Sequence, residues 1–271
     1  MLNNQEYITT ELREILYNIL PISSNKLKNL VYIVVGIVLS KSVVLSEISE
    51  RLKDDYTEAS EASKIKRIFR FLTSSIIKSD YLYYNFIAEV MEKYIKRSNN
   101  NKLIIIFDHT TIEDKFLILQ FSLKVGKRVV PLWYKIFKYK EKGSKSFKHI
   151  KQGIKELNDI LASYNYEVIL LADRGFKSID LFRFIDELGW KYCIRCTNDM
   201  LVKIEGNEKI KYLRDIKPLK KSVKKFNKVL LSAGEYVCNL AVCKAEEAED
   251  TWYLATNMSS KMAVNEYKKR Y

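Results

Sequence analysis

Two short apolar runs that end in aspartate decide the fold of this sequence: LIIIFD at 103–108 and EVILLAD at 167–173. A continuous apolar run of this length is typical of a strand that is buried on both faces of a sheet. Between and after these runs, the pattern predicts strands at 116–123, 129–137 and 191–197 and helices at 147–164 and 178–188. The resulting order β-β-β-α-β-α-β predicts an α/β fold with a mixed sheet.

Asp108 and Asp173 stand at the ends of these two runs. Because ligand sites of open α/β sheets gather at the carboxyl ends of the strands, we expect both carboxylates at one edge. Carboxylate oxygens hold Mg²⁺, and two such cations about 3.5–4 Å apart stabilise the attacking and leaving oxygens of a phosphoryl displacement. The alternative is that each aspartate only caps the loop or helix after its strand. The matched contexts of the two residues favour a shared site.

The charge balance points to the class of partner. The chain has 271 residues, with 47 Lys or Arg against 33 Asp or Glu, and a formal net charge of +14. Such an excess favours polyanions as partners. Neither G-x-G-x-x-G nor G-x-x-x-x-G-K-[ST] occurs, which excludes the usual sequence routes to nucleotide binding. The longest apolar run, 30–39, is shorter than the about 20 residues of a membrane span, and the N-terminus lacks a signal pattern, so we expect a cytoplasmic protein without a membrane partner.

An all-helical N-terminal region precedes the α/β part. Residues 1–97 have the apolar spacing of helices, and the polar stretch 98–102 predicts a domain boundary after them. One helical segment combines an apolar face with an opposite basic face, formed respectively by Ile65, Ile68, Phe69 and Leu72 and by Lys66, Arg67 and Arg70. We expect the basic face to bind a polyanion, and a solvated surface without a partner is the alternative.

A basic insertion interrupts the second part of the chain. Residues 198–250 have short strand patterns, and 203–228 contains ten Lys or Arg against three Asp or Glu. A strand at 252–257 and a helix from Ser260 follow. The residues expected to bind the polyanion in this β-rich insertion are Lys220, Lys221, Lys224 and Lys225. The four cysteines are expected to be reduced core residues, because the C-x-x-C pair lies in a predicted strand, where residues three apart point to opposite faces.

Four phrases resemble the DDE transposases of bacterial insertion sequences: FDHTT at 107–111, LADRGF at 171–176, YLATN at 253–257 and YKKR at 267–270. More narrowly, they resemble the insertion-sequence-four-like branch, which has a Tyr-x2-Arg-x3-Glu-x6-Lys signature. The resemblance covers residues 100–271. It implies a ribonuclease H-like catalytic domain at 102–271 and two Mg²⁺ or Mn²⁺ ions, and it implies DNA cleavage followed by strand transfer.

The resemblance also implies roles for particular residues. Asp108 and Asp173 would be catalytic metal ligands, and Arg174, Tyr267 and Arg270 would lie near the DNA phosphates or near these ligands. The implied partners are the DNA ends of the element and a target DNA, on the nucleoid, with a homodimer when DNA is bound. The basic face of the N-terminal region and the basic insertion would then contact DNA.

The sequence departs from the signature at its end. The glutamate of the signature would be the fourth residue after Arg270, at position 274, and the sequence given ends at Tyr271. Glu266 lies eight residues before that position, roughly 12 Å along a helix, which is too far for the same metal. Glu113 and Asp114 are further acids near the first strand, although their spacing does not favour them. We therefore expect a transposase cut short by a stop or a frameshift, with impaired catalysis.

Three classes of function remain open from the sequence. The first is a DDE transposase that lacks its third acid, and the second is a non-catalytic DNA-binding or inhibitory remnant of one. The third is an unrelated α/β phosphoryl-transfer enzyme, for example a phosphatase with a nucleophilic Asp108, although the phrase Asp-His-Thr-Thr lacks the second Asp of the D-x-D-x-T pattern.

Overall fold

The computed structural model divides into two compact units, Met1–Ser98 and Asn99–Tyr271. The polar stretch expected at the domain boundary, 98–102, lies partly outside the residues that the structure describes. The described residues are 4–52, 59–74, 79–92, 101–206, 209–218, 222–232, 236–244 and 250–271.

The first unit is helical throughout its described part. Its helices are α1 (Asn4–Ile19), α2 (Ser24–Ser40), α3 (Leu45–Arg51), α4 (Glu61–Leu72) and α5 (Ser79–Val90). A close approach between α2 and α3 depends on Gly36, because a Cβ atom there would lie 2.5 Å from Ile48 Cγ2. Among the described residues no single helix has the length and apolarity to cross a membrane, although α2 and α3, bent by 93°, reach that length and composition together.

Helix α4 packs through a different face from the one that its apolar residues predict. Ile68 is buried, as expected, and Phe71 packs against the same cluster. Phe69 and Leu72 are 56% and 58% exposed, so their expected burial is wrong. The reason is that α4 contacts α2 and α3 along the line of Ile68 and Phe71, which turns the neighbouring apolar positions outward.

The second unit is built on a ten-stranded sheet in its described part. Its strands are β1 (Lys102–Ile112), β2 (Phe116–Val125), β3 (Arg128–Lys138), β4 (Glu167–Ala172), β5 (Lys191–Cys196), β6 (Leu201–Lys203), β7 (Lys211–Tyr212), β8 (Lys224–Leu231), β9 (Tyr236–Cys243) and β10 (Trp252–Thr256). Their order is β3-β2-β1-β4-β5-β10-β9-β8-β6-β7. Strands β1, β4 and β5 are parallel, and the other pairs are antiparallel.

Helices cover both faces of this sheet. Helix α6 (Phe147–Leu161) contacts β3, and helix α7 (Ile179–Glu187) contacts β5. Helix α8 (Ser260–Lys268) contacts β10, β9, β8 and β5. Gly153 lets α6 lie close to the sheet, because a Cβ atom there would be 2.8 Å from Phe121. Ile106 and Leu171 pack with α8, whereas Phe107 stacks on Phe121 beneath α6. The expected ribonuclease H-like mixed α/β sheet is confirmed, and the strands of the insertion extend it beyond β10.

Candidate active site

Asp108 and Asp173 lie side by side at one edge of the sheet. The last paired residues of the parallel strands β1 and β4 are Phe107 and Ala172, and each aspartate comes next. Because alternate strand residues face opposite ways, Asp108 shares the α8 face with Ile106. The Asp108 carboxylate accepts a hydrogen bond from the backbone N–H of His109 at 2.9 Å. The sequence therefore predicted the juxtaposition of the two acids correctly.

The end of β1 differs from the prediction. The strand does not stop at Asp108 but continues to Ile112, because β2 pairs with it as far as Ile112 and Phe116. Strand β4 ends at Ala172, and Asp173 caps the short 3-10 turn Arg174–Phe176 by accepting a hydrogen bond from the Arg174 N–H at 2.7 Å. Asp108 consequently lies level with the end of the neighbouring strand β4. Because β1 continues past this point while β4 does not, the sheet has an opening beside Asp108.

One guanidinium connects the two acids. Arg270, just after α8, places Nη2 2.8 Å from Asp108 Oδ2 and Nη1 3.9 Å from Asp173 Oδ2. Its side chain is only 10% exposed. Burial opposes the positive charge, but Asp108 and then Tyr267 and Asp173 favour it, so the pKa of Arg270 is raised above its usual value. Arg270 therefore neutralises a pair of carboxylates that would otherwise repel each other.

Tyr267, which belongs to α8, lies next to the same acid pair. Its hydroxyl donates to Asp173 Oδ1 at 3.4 Å, and its ring packs against Trp252. The side chain is fully buried, and burial, followed by the charge of Asp173, raises the pKa of the hydroxyl. Tyr267 is thus a neighbour of the acid, which is one of the two places that the resemblance implied for it, and its buried side chain presents little surface to DNA.

Two residues that the sequence analysis missed complete this side of the site. Arg195 of β5 lies 3.8 Å from Asp173 Oδ1 and donates to Asp250 Oδ2 at 3.2 Å. Arg174 reaches the same Asp250 oxygen at 3.2 Å. The signal for Arg195 was a cation inside the strand KYCIRC, between the apolar residues Ile194 and Cys196, where its side chain is 11% exposed. Asp250 gave no such signal, because only the folding of β10 beside β5 brings it here.

His109 lies on the opposite face of β1, toward α6. Its Nε2 is 2.8 Å from Lys145 Nζ, and its ring meets the edge of Phe176 with centroids 5.3 Å apart. Burial, followed by the Lys145 charge, lowers the pKa of His109, against the opposing effects of Asp108 and Asp173. The imidazole is therefore neutral near pH 7.

The donor set at the acids fits a divalent cation. Mg²⁺ takes oxygen ligands, keeps several waters and is held by one or two carboxylates together with substrate phosphates, and Asp108 and Asp173 supply two such carboxylates. Among the described residues there is no group of three His, Cys, Asp or Glu side chains arranged to hold a metal. Glu113 pairs with Lys115 at the turn after β1, and Glu266 pairs with Lys269. Neither glutamate thus joins the acid pair.

The basic residues predicted in the first unit line a groove between α2 and α4. Lys66, Arg67 and Arg70 are brought together there with Lys26 and Asn29 around a cavity of about 430 Å³. Arg67 Nε donates to Asn29 Oδ1 at 2.7 Å, which fixes the guanidinium beside α2. We call this surface the α2–α4 groove.

Of the basic residues predicted in the insertion, the two that the structure describes do not share a face of the sheet. Lys224 and Lys225 are adjacent in β8, opposite Val242 and Ala241, so their side chains leave opposite faces of the sheet. Strand β8 lies four strands from β4, a distance across the sheet of about 19 Å from the strand that ends at Asp173, and Asp108 in β1 is one strand further away. Lys220 and Lys221 lie outside the described residues.

The cysteines are structural. All four, Cys193, Cys196, Cys238 and Cys243, are unpaired and buried. Burial raises the pKa of Cys196 to about 12, so its thiol stays protonated near neutral pH. The expectation of reduced core cysteines is confirmed.

The fold and the paired carboxylates together define a ribonuclease H-like domain with a candidate phosphoryl-transfer site. Residues 100–270 match a family model described as the transposase DDE domain. Since this match covers more than half of the sequence, the chain belongs to the DDE transposase family. No protein of curated function matches the sequence.

Several solved structures are similar to this chain at low identity. A piggyBac transposase synaptic complex with hairpin DNA has 12% identity and a TM-score of 0.45, covering 93% of this chain and 58% of that one. The catalytic domain of the Mos1 mariner transposase has 14% identity and a TM-score of 0.26, covering 41% and 57%. Endonuclease V of Ciona intestinalis has 11% identity and a TM-score of 0.37, covering 68% and 87%. This chain thus spans less than two thirds of either transposase chain.

Proposed function

We propose that this chain acts in transposition by cleaving DNA and transferring the strand, through two-metal-ion phosphoryl transfer at Asp108 and Asp173. The observation that carries the proposal is the meeting of both carboxylates at one sheet edge, with one oxygen of each directed at Arg270. Membership of the DDE transposase family supports it. The same membership favours a transposase over a phosphatase with a nucleophilic Asp108.

Asp108 and Asp173 would hold Mg²⁺ or Mn²⁺. When bound, such a cation stabilises the charge that develops on the oxygens of a reacting phosphate. The remaining groups of the site belong to the chain itself. Tyr267 fixes the Asp173 carboxylate by a hydrogen bond, and Arg270 screens the repulsion between the two acids. Arg174, which is exposed, presents a guanidinium group suited to bidentate binding of phosphate oxygens.

We assign the chain to the insertion-sequence-four-like branch and propose that its third carboxylate would stand at position 274. Tyr267 and Arg270 have the Tyr-x2-Arg spacing, and both side chains reach the acid pair. One further turn of helix α8 would bring residue 274 to the side of Arg270, which already contacts Asp108. A glutamate at that position would supply the third carboxylate ligand.

The proposed partners are the DNA ends of the element and the target DNA. Residues 1–97 would bind DNA through the α2–α4 groove, and residues 102–271 would form the catalytic domain. A homodimer on the DNA and a cytoplasmic location on the nucleoid belong to the same proposal. Its support is the net charge of +14 and the grouping of cations in the groove.

A non-catalytic DNA-binding or inhibitory role is the second candidate. The observation in its favour is that, within the described parts of the chain, no third acidic side chain joins Asp108 and Asp173. Such a chain would occupy DNA without cutting it.

Nicking of supercoiled plasmid DNA in Mg²⁺ distinguishes the two candidates. We would compare the 271-residue chain with two helical extensions that differ only in glutamate or glutamine at position 274. We expect the glutamate form to nick orders of magnitude faster, because metal geometry controls the displacement, and Asp108→Ala to abolish this activity. DNA binding without nicking by either extension would support the non-catalytic role. Nicking by all three chains at the same measurable rate would place the third acid inside the sequence, with Glu113, Asp114 and Glu266 as the residues to mutate.

A further inference from the structure

On the side of the site that faces α6 lies a charged side chain, Lys145, that the sequence analysis did not single out and that does not contact the acid pair. Lys145 lies in the turn between β3 and α6, 36 residues from His109, and its Nζ is 2.8 Å from His109 Nε2. Its side chain is exposed. Helix α6 begins two residues later, so the positive end of a 15-residue helix dipole lies on the same flank.

The hydrogen bond determines which imidazole nitrogen accepts. A lysine ammonium has three donors and no acceptor, so Nε2 must supply the lone pair and Nδ1 must bear the hydrogen. That Nδ1 is buried and has no hydrogen-bond partner among the described residues. The ring packs against Phe176, with the centroids 5.3 Å apart and the two ring planes nearly perpendicular. His109 is therefore a fixed acceptor that restrains a flexible lysine.

Lys145 and Arg270 lie on opposite flanks of the acid pair. Asp108 points to the α8 side with Arg270, and the next residue, His109, points to the α6 side with Lys145. The end of β4 at Ala172 leaves β1 without that neighbour at this level. A DNA strand bound over Asp108 and Asp173 would therefore have Arg270 on one flank and Lys145 on the other.

We propose that Lys145 binds a backbone phosphate next to the one at the acid pair, and that His109 is a positioning residue that holds Lys145 in place. This inference rests on the proposed function and adds a phosphate site on the α6 flank. An ammonium held in advance loses less conformational freedom on binding than an unrestrained lysine, which makes the contact stronger.

The dependence of DNA affinity on salt tests the contact. We would measure the anisotropy of a fluorescent 30-base-pair duplex with the full chain over a series of NaCl concentrations. Lys145→Ala is expected to reduce the slope of log affinity against log salt by about 0.9, the value for one phosphate contact. The matched control is Lys142→Ala, which removes an exposed lysine from the same turn and is expected to leave a steeper slope than Lys145→Ala.

Two substitutions of His109 test its positioning role. His109→Phe keeps a ring against Phe176 but removes the acceptor, and we expect it to weaken binding nearly as much as Lys145→Ala. His109→Gln supplies an acceptor oxygen and is expected to restore part of the loss. The double variant Lys145→Ala with His109→Phe is expected to bind no more weakly than Lys145→Ala alone, because both changes remove one contact.

The outcomes separate this inference from the proposed function. DNA binding by the unaltered chain, with equal slopes for Lys145→Ala and Lys142→Ala, would overturn the Lys145 contact and leave the proposed function standing. Additive losses in the double variant would overturn the role of His109. No binding of DNA by the unaltered chain would overturn both the inference and the proposed function.

Discussion

Two cationic regions of this molecule differ in what their positive charges face. At the acid edge, three guanidinium groups meet carboxylates: Arg270 meets Asp108 and Asp173, Arg195 meets Asp173 and Asp250, and Arg174 meets Asp250. In the α2–α4 groove, the residues that line the cavity include Lys26, Lys66 and Arg70 but no Asp or Glu in the described part of the chain. Both regions are rich in basic side chains, but only at the acid edge do these side chains face carboxylates.

Net charge alone therefore does not locate a DNA-binding surface. Guanidinium groups that already face carboxylates gain less from a DNA phosphate, because the carboxylate must first be displaced or neutralised. Lysines in a groove without acids retain their full charge for phosphate contacts and for release of counterions from DNA. We therefore expect the groove to supply affinity and the acid edge to supply chemistry.

The largest expected effect concerns the groove. The double variant Lys66→Ala with Arg70→Ala should weaken DNA binding by about 100-fold, since each charge-assisted contact contributes about tenfold. The charge-matched control is Lys41→Asn with Arg51→Ala, at two exposed positions of the same unit outside the groove lining. Anisotropy of a labelled duplex at fixed salt measures both. Equal losses in the two double variants would show that only total charge matters and would remove the contrast.

A second prediction concerns the balance of charge at the acid edge. Arg270→Gln leaves Asp108 and Asp173 facing each other without the cation between them, so it should lower the free energy of unfolding by about 1–2 kcal/mol in EDTA. Excess Mg²⁺ should recover part of this loss, because the cation relieves the same repulsion. Urea unfolding with and without Mg²⁺ measures both effects. Lys261→Gln, at an exposed position of the preceding helix α8, is the control, and an equal loss there would contradict the role of Arg270.

The smallest expected effect concerns Asp250. Asp250→Asn removes the carboxylate that Arg174 and Arg195 share, so both guanidinium groups gain freedom to bind phosphate. We expect DNA affinity to rise by about threefold beyond that of Asp159→Asn, which makes the same change of charge at an exposed site on α6. A lower affinity than this control would show instead that Asp250 orients the two arginines for DNA.

The sequence predicted the acid edge well because its signals are local. Two apolar runs that end in aspartate determine two buried parallel strands, and parallel strands bring their ends to one edge. The partners of these acids depend on contacts that no local pattern records. Arg270 lies 162 residues from Asp108. The same holds for the residue next to Asp108, because Lys145 is 36 residues from His109. Their approach depends on the path of α8 and of the β3–α6 turn across the sheet.

The helical unit shows the limit of periodicity. The spacing of apolar residues identified α4 but assigned Phe69 and Leu72 to its buried face, whereas the helix packs through Ile68 and Phe71. When a helix has more apolar residues than the adjacent helices can cover, several rotations about its axis bury a similar number of them. The choice among them is made by the shape of α2 and α3, which the sequence of α4 does not contain.

Titration of Mn²⁺, followed by its enhancement of water proton relaxation, tests most directly the claim that Asp108 and Asp173 form one metal site. We predict that the full chain binds Mn²⁺ weakly, that Asp108→Asn and Asp173→Asn each remove this binding, and that Asp159→Asn leaves it unchanged. The reason is that each acid supplies half of the carboxylate ligands at the edge. Retention of the same Mn²⁺ binding by Asp173→Asn would contradict the shared site, and with it the account of the acid edge as the place of chemistry.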